Sequence, residues 1–488
     1  MDALRSQAPS LDQGTGRLEQ GTGWIELVRG GNGARSALVG GGMVVHAINV
    51  FIVTTILPSV VRDIGGLRFF AWSTTLYVVA SLFGAVACAR LLRAMGARWS
   101  YRLSLLLFAL GTAACAMAPS MPVLLAGRFV QGLGAGTLSA LSFTQVRQLF
   151  PPALWARALA VISIAWGAAT LLGPAVGGVF AEYNVWRAAF WYLLATTPPL
   201  LLLVEWTLPR GAVQHGPRLP MAWLNLALLA GSVLTVSVGG MAASAMANGL
   251  GVAVAAVGLA WFVRRERWRR PSLLPSGAMW LTQPLGATYA VMSLLLLGLA
   301  TEVFMPYFLQ TLHGLSPLHA GYVSALLSGG WTLGSMASSG VTAGTTRMLL
   351  RLGPLTVATG LLGLAVLMPR SADITGFDLW LIGGCLLAMG LGIGLCWPHL
   401  GAGVFRFAIE GEQALAAASI TTVVMVANAF GSALGGMLTN LAGMTTPGDA
   451  AGASHAAAWL FGVAAIAPLL AALVMRRLGH VAPAATAA

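Results

Sequence analysis

The sequence contains no lysine, so all 27 of its basic residues are arginine. Charged residues of both signs make up only 8% of the 488 residues, whereas hydrophobic residues make up 57%. A soluble domain carries about 25% charged residues, so this composition excludes an ordinary soluble globular protein. The chain must therefore use lipid as its solvent.

Cysteine is also scarce, and the four cysteines form no CxxC pair and have no histidine at metal-ligand spacing. All four lie in or beside apolar runs and are expected to be unpaired packing residues: Cys88, Cys115, Cys385 and Cys396. We find no nucleophile-base pair and no phosphate-binding loop. These absences argue against an enzyme, a metal site and a cofactor.

The formal net charge of +13 does not indicate nucleic-acid binding, because the arginines are dispersed between long apolar segments. Fourteen segments approach the roughly 20 apolar residues that span a bilayer. With the N-terminus in the cytoplasm, 22 arginines fall inside, 4 outside and 1 within a span. This asymmetry predicts an even number of spans and two cytoplasmic termini, with twelve as the alternative to fourteen.

A weak internal repeat supports a chain built from two bundles. Arg90-Leu-Leu-Arg93-Ala-Met-Gly96 follows the second span, and Arg347-Met-Leu-Leu-Arg351-Leu-Gly353 follows the tenth. Equivalent positions in two six-span halves are typical of parallel repeats in transporters.

The fourth span carries a permanent charge within the segment Arg128-x-x-Gln131-Gly132-Leu133-Gly134-Ala135-Gly136. An arginine at the bilayer centre costs about 2.5 to 3.5 kcal/mol on insertion scales, so Arg128 must face a polar cavity or a partner. The alternative is that Arg128 only pins neighbouring helices through backbone carbonyls.

Two further spans carry unusual residues. In the fifth span, Gly173-Pro174-Ala175-Val176-Gly177-Gly178 predicts a break in mid-membrane that allows close packing, either as a hinge or as a bend needed only for folding. In the first span, His46 and Asn49 interrupt an apolar run, as expected of a helix that lines a cavity.

These segments resemble the major facilitator superfamily from about residue 36 to 478, and most closely its fourteen-helix drug:proton antiporters. Span four matches the family's R-x-x-Q-G-x-G-A motif, in which the position of Arg128 is tied to proton coupling. Span five matches the G-P-x-x-G-G antiporter motif at Gly173, Pro174, Gly177 and Gly178.

The resemblance implies an all-α integral membrane fold with two six-helix bundles. The expected divisions are a cytosolic tail (1–35), an N-terminal bundle (36–208), a linker with two transmembrane helices (209–277), a C-terminal bundle (278–478) and a second tail (479–488). The implied location is the bacterial inner membrane.

The sequence departs from the family pattern at two places. The loop after span two usually reads G-x-L-x-D-R-x-G-R-R, but Arg93 occupies the aspartate position, with Gly96 and Arg98 following. In the family, the aspartate takes part in a network of cytoplasmic charges that steadies the outward-open state, and with Arg93 in its place this network cannot form in the usual way. Asn49 replaces an aspartate that is common in span one of this branch.

A proton-coupled exporter needs a carboxyl group that takes up and releases protons, and an apolar environment favours the neutral acid. Glu302 is the one acid placed clearly inside a span, and it is the candidate proton site together with Arg128. The alternatives for Glu302 are an ion-pair or hydrogen-bond partner inside the bundle and a position at the outer mouth with no role. The acids at helix ends and in loops are expected to be solvated: Asp63, Glu182, Glu205, Glu410 and Glu412.

Aromatic and polar residues within the spans could line a substrate cavity. The candidates are His46, Asn49, Gln131, Trp166, Tyr307, Trp331, His399 and Asn428.

The leading hypothesis is a monomeric exporter of hydrophobic or amphipathic compounds, driven by proton antiport through alternating access. Its expected partners are the small-molecule substrate, protons and membrane lipid. The alternatives are an importer or uniporter of a small polar solute, and a non-transporting receptor or scaffold on the same fold.

Overall fold

The computed structural model describes residues 24–151, 154–209, 222–242, 244–269, 271–338, 341–370, 376–410 and 412–478. All regular structure in these ranges is helical. The predicted tail 479–488 lies outside the described residues, as do residues 1–23 of the predicted N-terminal tail.

The described residues form sixteen α-helices. They are α1 (Gly31–Ile64), α2 (Phe70–Ala116), α3 (Met121–Leu149), α4 (Trp155–Glu182), α5 (Trp186–Ala195), α6 (Thr197–Thr207), α7 (Trp223–Gly239), α8 (Ala245–Trp268), α9 (Pro284–Leu299), α10 (Met305–His313), α11 (Pro317–Ser338), α12 (Ala343–Leu367), α13 (Gly376–Phe407), α14 (Gln413–Leu441), α15 (Ala450–Ala464) and α16 (Ile466–Leu478).

Helix α2 is bent back on itself at Gly96. It has 47 residues, and Gly96 adopts a φ of 75°, which favours glycine because other residues meet a steric penalty there. Gly84 before the bend and Gly111 after it both lie against α3, close to Leu133 and Gln131. The two arms of α2 therefore run side by side along α3.

Ten helical stretches in the described residues are long and apolar enough to cross a membrane, and α7 adds a shorter apolar helix. The prediction of an all-helical, multi-pass membrane protein is confirmed. The count of fourteen spans stays a prediction. One of the ten stretches holds both arms of α2, α7 has only 17 residues, and α3 and α11 are not among the ten.

The helices pack as two sets. Helices α1 to α6 pack on one another, with α3 along α2 and α4 along α1. Helices α9 to α16 do the same, with α13 between α11 and α12. Helix α7 packs along α8 and also contacts α14.

The two sets meet where α4 lies against α11 and α2 lies against α14. Asn440 Nδ2 donates to the carbonyl of Arg68 (3.3 Å), and the Phe70 and Tyr307 rings are 5.4 Å apart. These residues lie where α1 and α4 end and where α2 and α11 begin. We call this end of the molecule the closed end.

Candidate functional site

Arg128 lies in the middle of the first set, on α3, and is only 2% exposed. The glycines that follow it bring α3 against α2. A Cβ on Gly132 would meet the Tyr77 carbonyl, and one on Gly136 would meet the Ser81 carbonyl. This close approach places the Arg128 guanidinium among the side chains of α1 and α2.

Three groups accept hydrogen bonds from Arg128, and a fourth group stacks on it. Nε donates to the Ser73 carbonyl (3.3 Å), while Nη1 donates to Asn49 Oδ1 (3.3 Å) and to Gln131 Oε1. The guanidinium lies 4.0 Å from the centre of the Tyr77 ring, within the range of a cation–π interaction. Among the described residues no carboxylate pairs with Arg128.

The network around Arg128 extends on both sides. Gln131 Nε2 donates to Thr112 Oγ1 (2.8 Å) on the second arm of α2. The Tyr77 hydroxyl and His46 Nδ1 share a hydrogen bond of 3.0 Å. Four of the predicted residues, namely Arg128, Gln131, Asn49 and His46, are thus joined in one buried cluster.

The arginine cluster also includes Ser73 and Thr112, which sequence reasoning missed, and Tyr77, which it had placed only among the aromatics that could line a cavity. Hydroxyl and carbonyl groups in an apolar helix are common, so nothing in the sequence separated these from ordinary packing residues. The Asn49 amide nitrogen and the Ser73 hydroxyl are buried and have no hydrogen-bond partner in the described structure.

Glu302 lies at a break between two helices. Residues Ala300–Phe304 form a 3-10 segment that joins α9 to α10. A 3-10 stretch within a helical span often marks a functional hinge. Glu302 is half-buried, and within the described ranges its carboxylate has neither a hydrogen-bond partner nor a basic partner.

The Gly-Pro segment of α4 is the junction of three helices. A Cβ on Gly173 would meet Phe51 on α1, and one on Gly177 would lie 2.9 Å from the Ile52 carbonyl. On the other face, a Cβ on Gly178 would lie 2.6 Å from Leu318 Cα on α11. Pro174 packs against Gly321 of α11. This predicted motif therefore forms part of the contact between the two sets.

At the opposite end, Gly96 makes the bend of α2, and Arg93 and Arg98 flank it. Arg98 forms an ion pair with Glu205 of α6, and Arg102 Nε donates to the same carboxylate at 2.6 Å. Glu205 was expected to be solvated, and its arginine partners were not foreseen. The bend at Gly96 brings these residues together, although more than 100 residues separate them in the chain.

Three other acids expected to be solvated also have partners. Glu182 accepts a hydrogen bond from the Ser316 hydroxyl at 3.3 Å. Asp63 pairs with Arg187 at 2.6 Å and accepts from the Trp186 indole at 3.0 Å. Glu412 accepts from the backbone and hydroxyl of Ser276.

The aromatic and polar cavity candidates fall into separate places. Trp166 is 41% exposed, and its ring lies 6.0 Å from that of His46. Tyr307 is buried at the closed end. Trp331 packs on Trp397 (5.2 Å between ring centres), while His399 and Asn428 are half-buried.

No group of three or more metal-ligating side chains occurs within the residues described. All four cysteines are free.

A sequence profile described as Major Facilitator Superfamily matches residues 39–432. This chain belongs to the major facilitator superfamily. Its membership makes it a multi-pass membrane transporter of small molecules, not an enzyme.

Two relatives align with more than two thirds of this chain. A Mycobacterium tuberculosis (strain H37Rv) protein named a probable multidrug-efflux transporter is 35% identical over 86% of this chain and 90% of its own length. Multidrug resistance protein 3 of Bacillus subtilis is 26% identical over 68% of this chain and 66% of its own.

Solved structures of other transporters have the same fold. A POT family transporter in complex with 5-aminolevulinic acid aligns with a TM-score of 0.65 at 14% identity, over 91% of this chain and 96% of its own. The xylose transporter XylE from E. coli, in a partially occluded inward-open conformation, aligns with a TM-score of 0.58 at 15% identity, over 92% and 99%. At such identities the likeness concerns the fold alone.

Proposed function

We propose that this protein exports hydrophobic or amphipathic small molecules from the bacterial cytoplasm in exchange for protons. The observation that carries the proposal is Glu302, a half-buried carboxylate at a helix break with no basic partner in the described ranges. A carboxyl group in such surroundings can alternate between charged and neutral forms as its access to water changes. The name of the mycobacterial relative supports the direction of transport.

The proposed architecture has fourteen spans in the inner membrane. Residues 36–208 form one six-helix bundle, residues 278–478 form the other, and residues 209–277 contribute α7 and α8 between them. The packing of α1 to α6 and of α9 to α16 as separate sets supports this division. Both termini are cytoplasmic, and the protein acts as a monomer.

Transport would proceed by rocking of the two bundles about the closed end. The arginine-rich end is cytoplasmic under the positive-inside rule, so the closed end faces outward and the structure corresponds to an inward-facing state. The Gly173–Gly178 segment and α11 would separate when the protein opens to the outside. Proton and substrate each bias this same equilibrium, and such linkage is sufficient for exchange.

Two sites would share the coupling. Glu302 would take up a proton in the outward-facing state and release it to the cytoplasm in the inward-facing state. The Arg128 cluster joins α1, α3 and both arms of α2, so a change in its hydrogen bonds would alter how these helices pack. Substrate would bind between the bundles, near Trp166 on one side and Trp331, His399 and Asn428 on the other.

The test is transport, measured first in cells and then with the purified protein. In an efflux-deficient host, expression should lower the accumulation of lipophilic cations and neutral drugs, and a protonophore should restore it. In proteoliposomes, adding a transported drug should start a proton flux in the opposite direction. Unchanged accumulation across a broad panel, with normal membrane expression, would favour the importer or scaffold alternatives.

A further inference from the structure

A groove between α12 and α16 lies on the outer surface of the second set. It has a volume of about 570 Å³ and is lined by Arg351 and Leu355 of α12 and by Leu469, Ala472, Leu473 and Arg476 of α16. The α12 residues are four apart, and the α16 residues recur at intervals of three, one and three. The lining residues of each helix therefore lie on one face of that helix.

The groove combines unpaired charge with exposed apolar surface. Arg351 and Arg476 are exposed, and within the described residues neither forms an ion pair or a hydrogen bond. Arg347, one turn before Arg351, is exposed as well. The leucines beside them are 41% (Leu355), 40% (Leu469) and 55% (Leu473) exposed.

The position of the two arginines along their helices places them at the membrane surface. Arg351 precedes most of the apolar part of α12, and Arg476 follows the apolar part of α16. At that depth a guanidinium meets lipid headgroups, while leucines further along the same helices meet acyl chains. A free phosphate ion would match the arginines but would leave the leucines unused.

We propose that this groove is a binding site for one anionic phospholipid of the leaflet on the arginine-rich side. The headgroup phosphate would lie between Arg351 and Arg476, because guanidinium groups bind phosphate through paired hydrogen bonds. An acyl chain would cover Leu355, Leu469 and Leu473. Since α16 also packs on α9, which leads to the break at Glu302, a bound lipid would hold α12, α16 and α9 together.

The experiment measures lipid retention by the full-length protein in detergent, using native mass spectrometry. Wild-type protein should retain phosphatidylglycerol in preference to phosphatidylcholine. The double variant Arg351→Gln/Arg476→Gln should bind phosphatidylglycerol about thirtyfold more weakly, since each arginine near an anionic lipid contributes about fivefold. The variant Arg351→Lys/Arg476→Lys should recover only part of the affinity, because lysine keeps the charge but cannot form the paired hydrogen bonds of a guanidinium.

A charge-matched control separates the groove from general attraction to basic protein. Arg90→Gln/Arg406→Gln removes the same charge from other exposed positions at the arginine-rich end and should leave retention within about twofold of wild type. Equal loss in both double variants would overturn the proposal.

Two further measurements distinguish a bound lipid from a free anion. Leu469→Gln/Leu473→Gln keeps both arginines but should weaken phosphatidylglycerol binding. Inorganic phosphate at millimolar concentration should not displace the lipid. Unchanged lipid retention in the leucine variant would show that the acyl chain does not lie on these leucines, and full displacement by phosphate would show that the arginines bind any phosphate group. Either result would overturn the proposal.

Discussion

At the scale of single residues, the main feature is a buried guanidinium without a counter-ion. Arg128 is held by the neutral oxygens of Ser73, Asn49 and Gln131 and by the face of Tyr77. Neutral acceptors stabilise a buried charge less than a carboxylate does. Asn49 offers Arg128 only a neutral amide oxygen, so the charge of this guanidinium stays unbalanced.

Asn49→Asp is expected to stabilise the protein. It places a carboxylate beside Arg128, at the position of an amide oxygen 3.3 Å away, and removes a buried amide nitrogen that has no partner. We expect a gain in the free energy of unfolding of about 1 to 3 kcal/mol, seen as a higher midpoint of thermal unfolding in detergent.

The matched control for this change is Asn428→Asp. It introduces the same acid at a half-buried position that does not contact Arg128, so it should give no increase. A lower unfolding midpoint for Asn49→Asp than for wild type would contradict the interpretation of Arg128 as an uncompensated charge.

Glu302→Gln should abolish export against a concentration gradient while leaving expression and folding intact. Glutamine has a similar shape but cannot carry a proton at neutral pH, so the pH gradient no longer drives the cycle. The measurement is substrate movement in proteoliposomes with and without a pH gradient, with rates falling to those of empty vesicles.

Glu410→Gln is the control for Glu302→Gln, because Glu410 is exposed in the loop after α13. It should transport at the wild-type rate. Retained pH-driven export in Glu302→Gln would remove this carboxylate from the mechanism.

At the scale of helices, the informative places are those where regular structure is interrupted. Gly96 reverses α2, Pro174 lies within α4, and a 3-10 segment separates α9 from α10. Each interruption lies near a residue discussed above: Arg98 pairs with Glu205, Gly178 contacts α11, and Glu302 is the proposed proton site. Interrupted helices free backbone groups and lower the resistance to bending, which alternating access requires.

Gly178→Ala is expected to shift the protein away from the state described here. The added Cβ would lie 2.6 Å from Leu318 Cα, so α4 and α11 must separate at the closed end. To measure the shift, spin labels are attached at Arg90→Cys and Arg347→Cys, which lie at the opposite end of the molecule. The half-buried Cys385 is replaced by serine so that it is not labelled. The distance between the two labels should become shorter.

Gly167→Ala provides the control on the same helix, because a Cβ there meets nothing within 4 Å. It should leave the distance distribution unchanged. An identical distribution for Gly178→Ala would mean that this contact does not determine which end is closed.

At the scale of the whole molecule, the number of membrane crossings depends on α7 and α8. Helix α7 has 17 residues, or roughly 26 Å at 1.5 Å per residue, which is slightly less than the hydrocarbon thickness of about 30 Å. The pair packs on itself and on α14 beside the two sets. If both helices cross the membrane, the turn between them faces outward.

Reporter insertions test this arrangement directly. Alkaline phosphatase inserted after Gly240, in the turn between α7 and α8, should be active only if that turn is outside the cytoplasm. A fluorescent protein fused after residue 478 should be fluorescent, since the C-terminus is expected to be cytoplasmic. An inactive phosphatase after Gly240, with activity retained in a control insertion after Asn184, would support twelve spans instead of fourteen.

The sequence alone determined that this protein is helical and embedded in a membrane, because the free energy of entering lipid depends on each residue's own side chain. The same reasoning identified Arg128 and Glu302, since a charge in an apolar helix is costly wherever the helix lies. The Gly-Pro segment was also visible, because glycine and proline act on the local backbone.

Only the tertiary structure decided which groups meet. Asn49 and Arg128 are 79 residues apart, and Arg98 and Glu205 are 107 apart. Arg351 and Arg476 share a groove although α13, α14 and α15 lie between them in the chain. Such pairs depend on how each helix is rotated and bent against its neighbours. Helix packing determines that rotation, and no local pattern in the sequence encodes it.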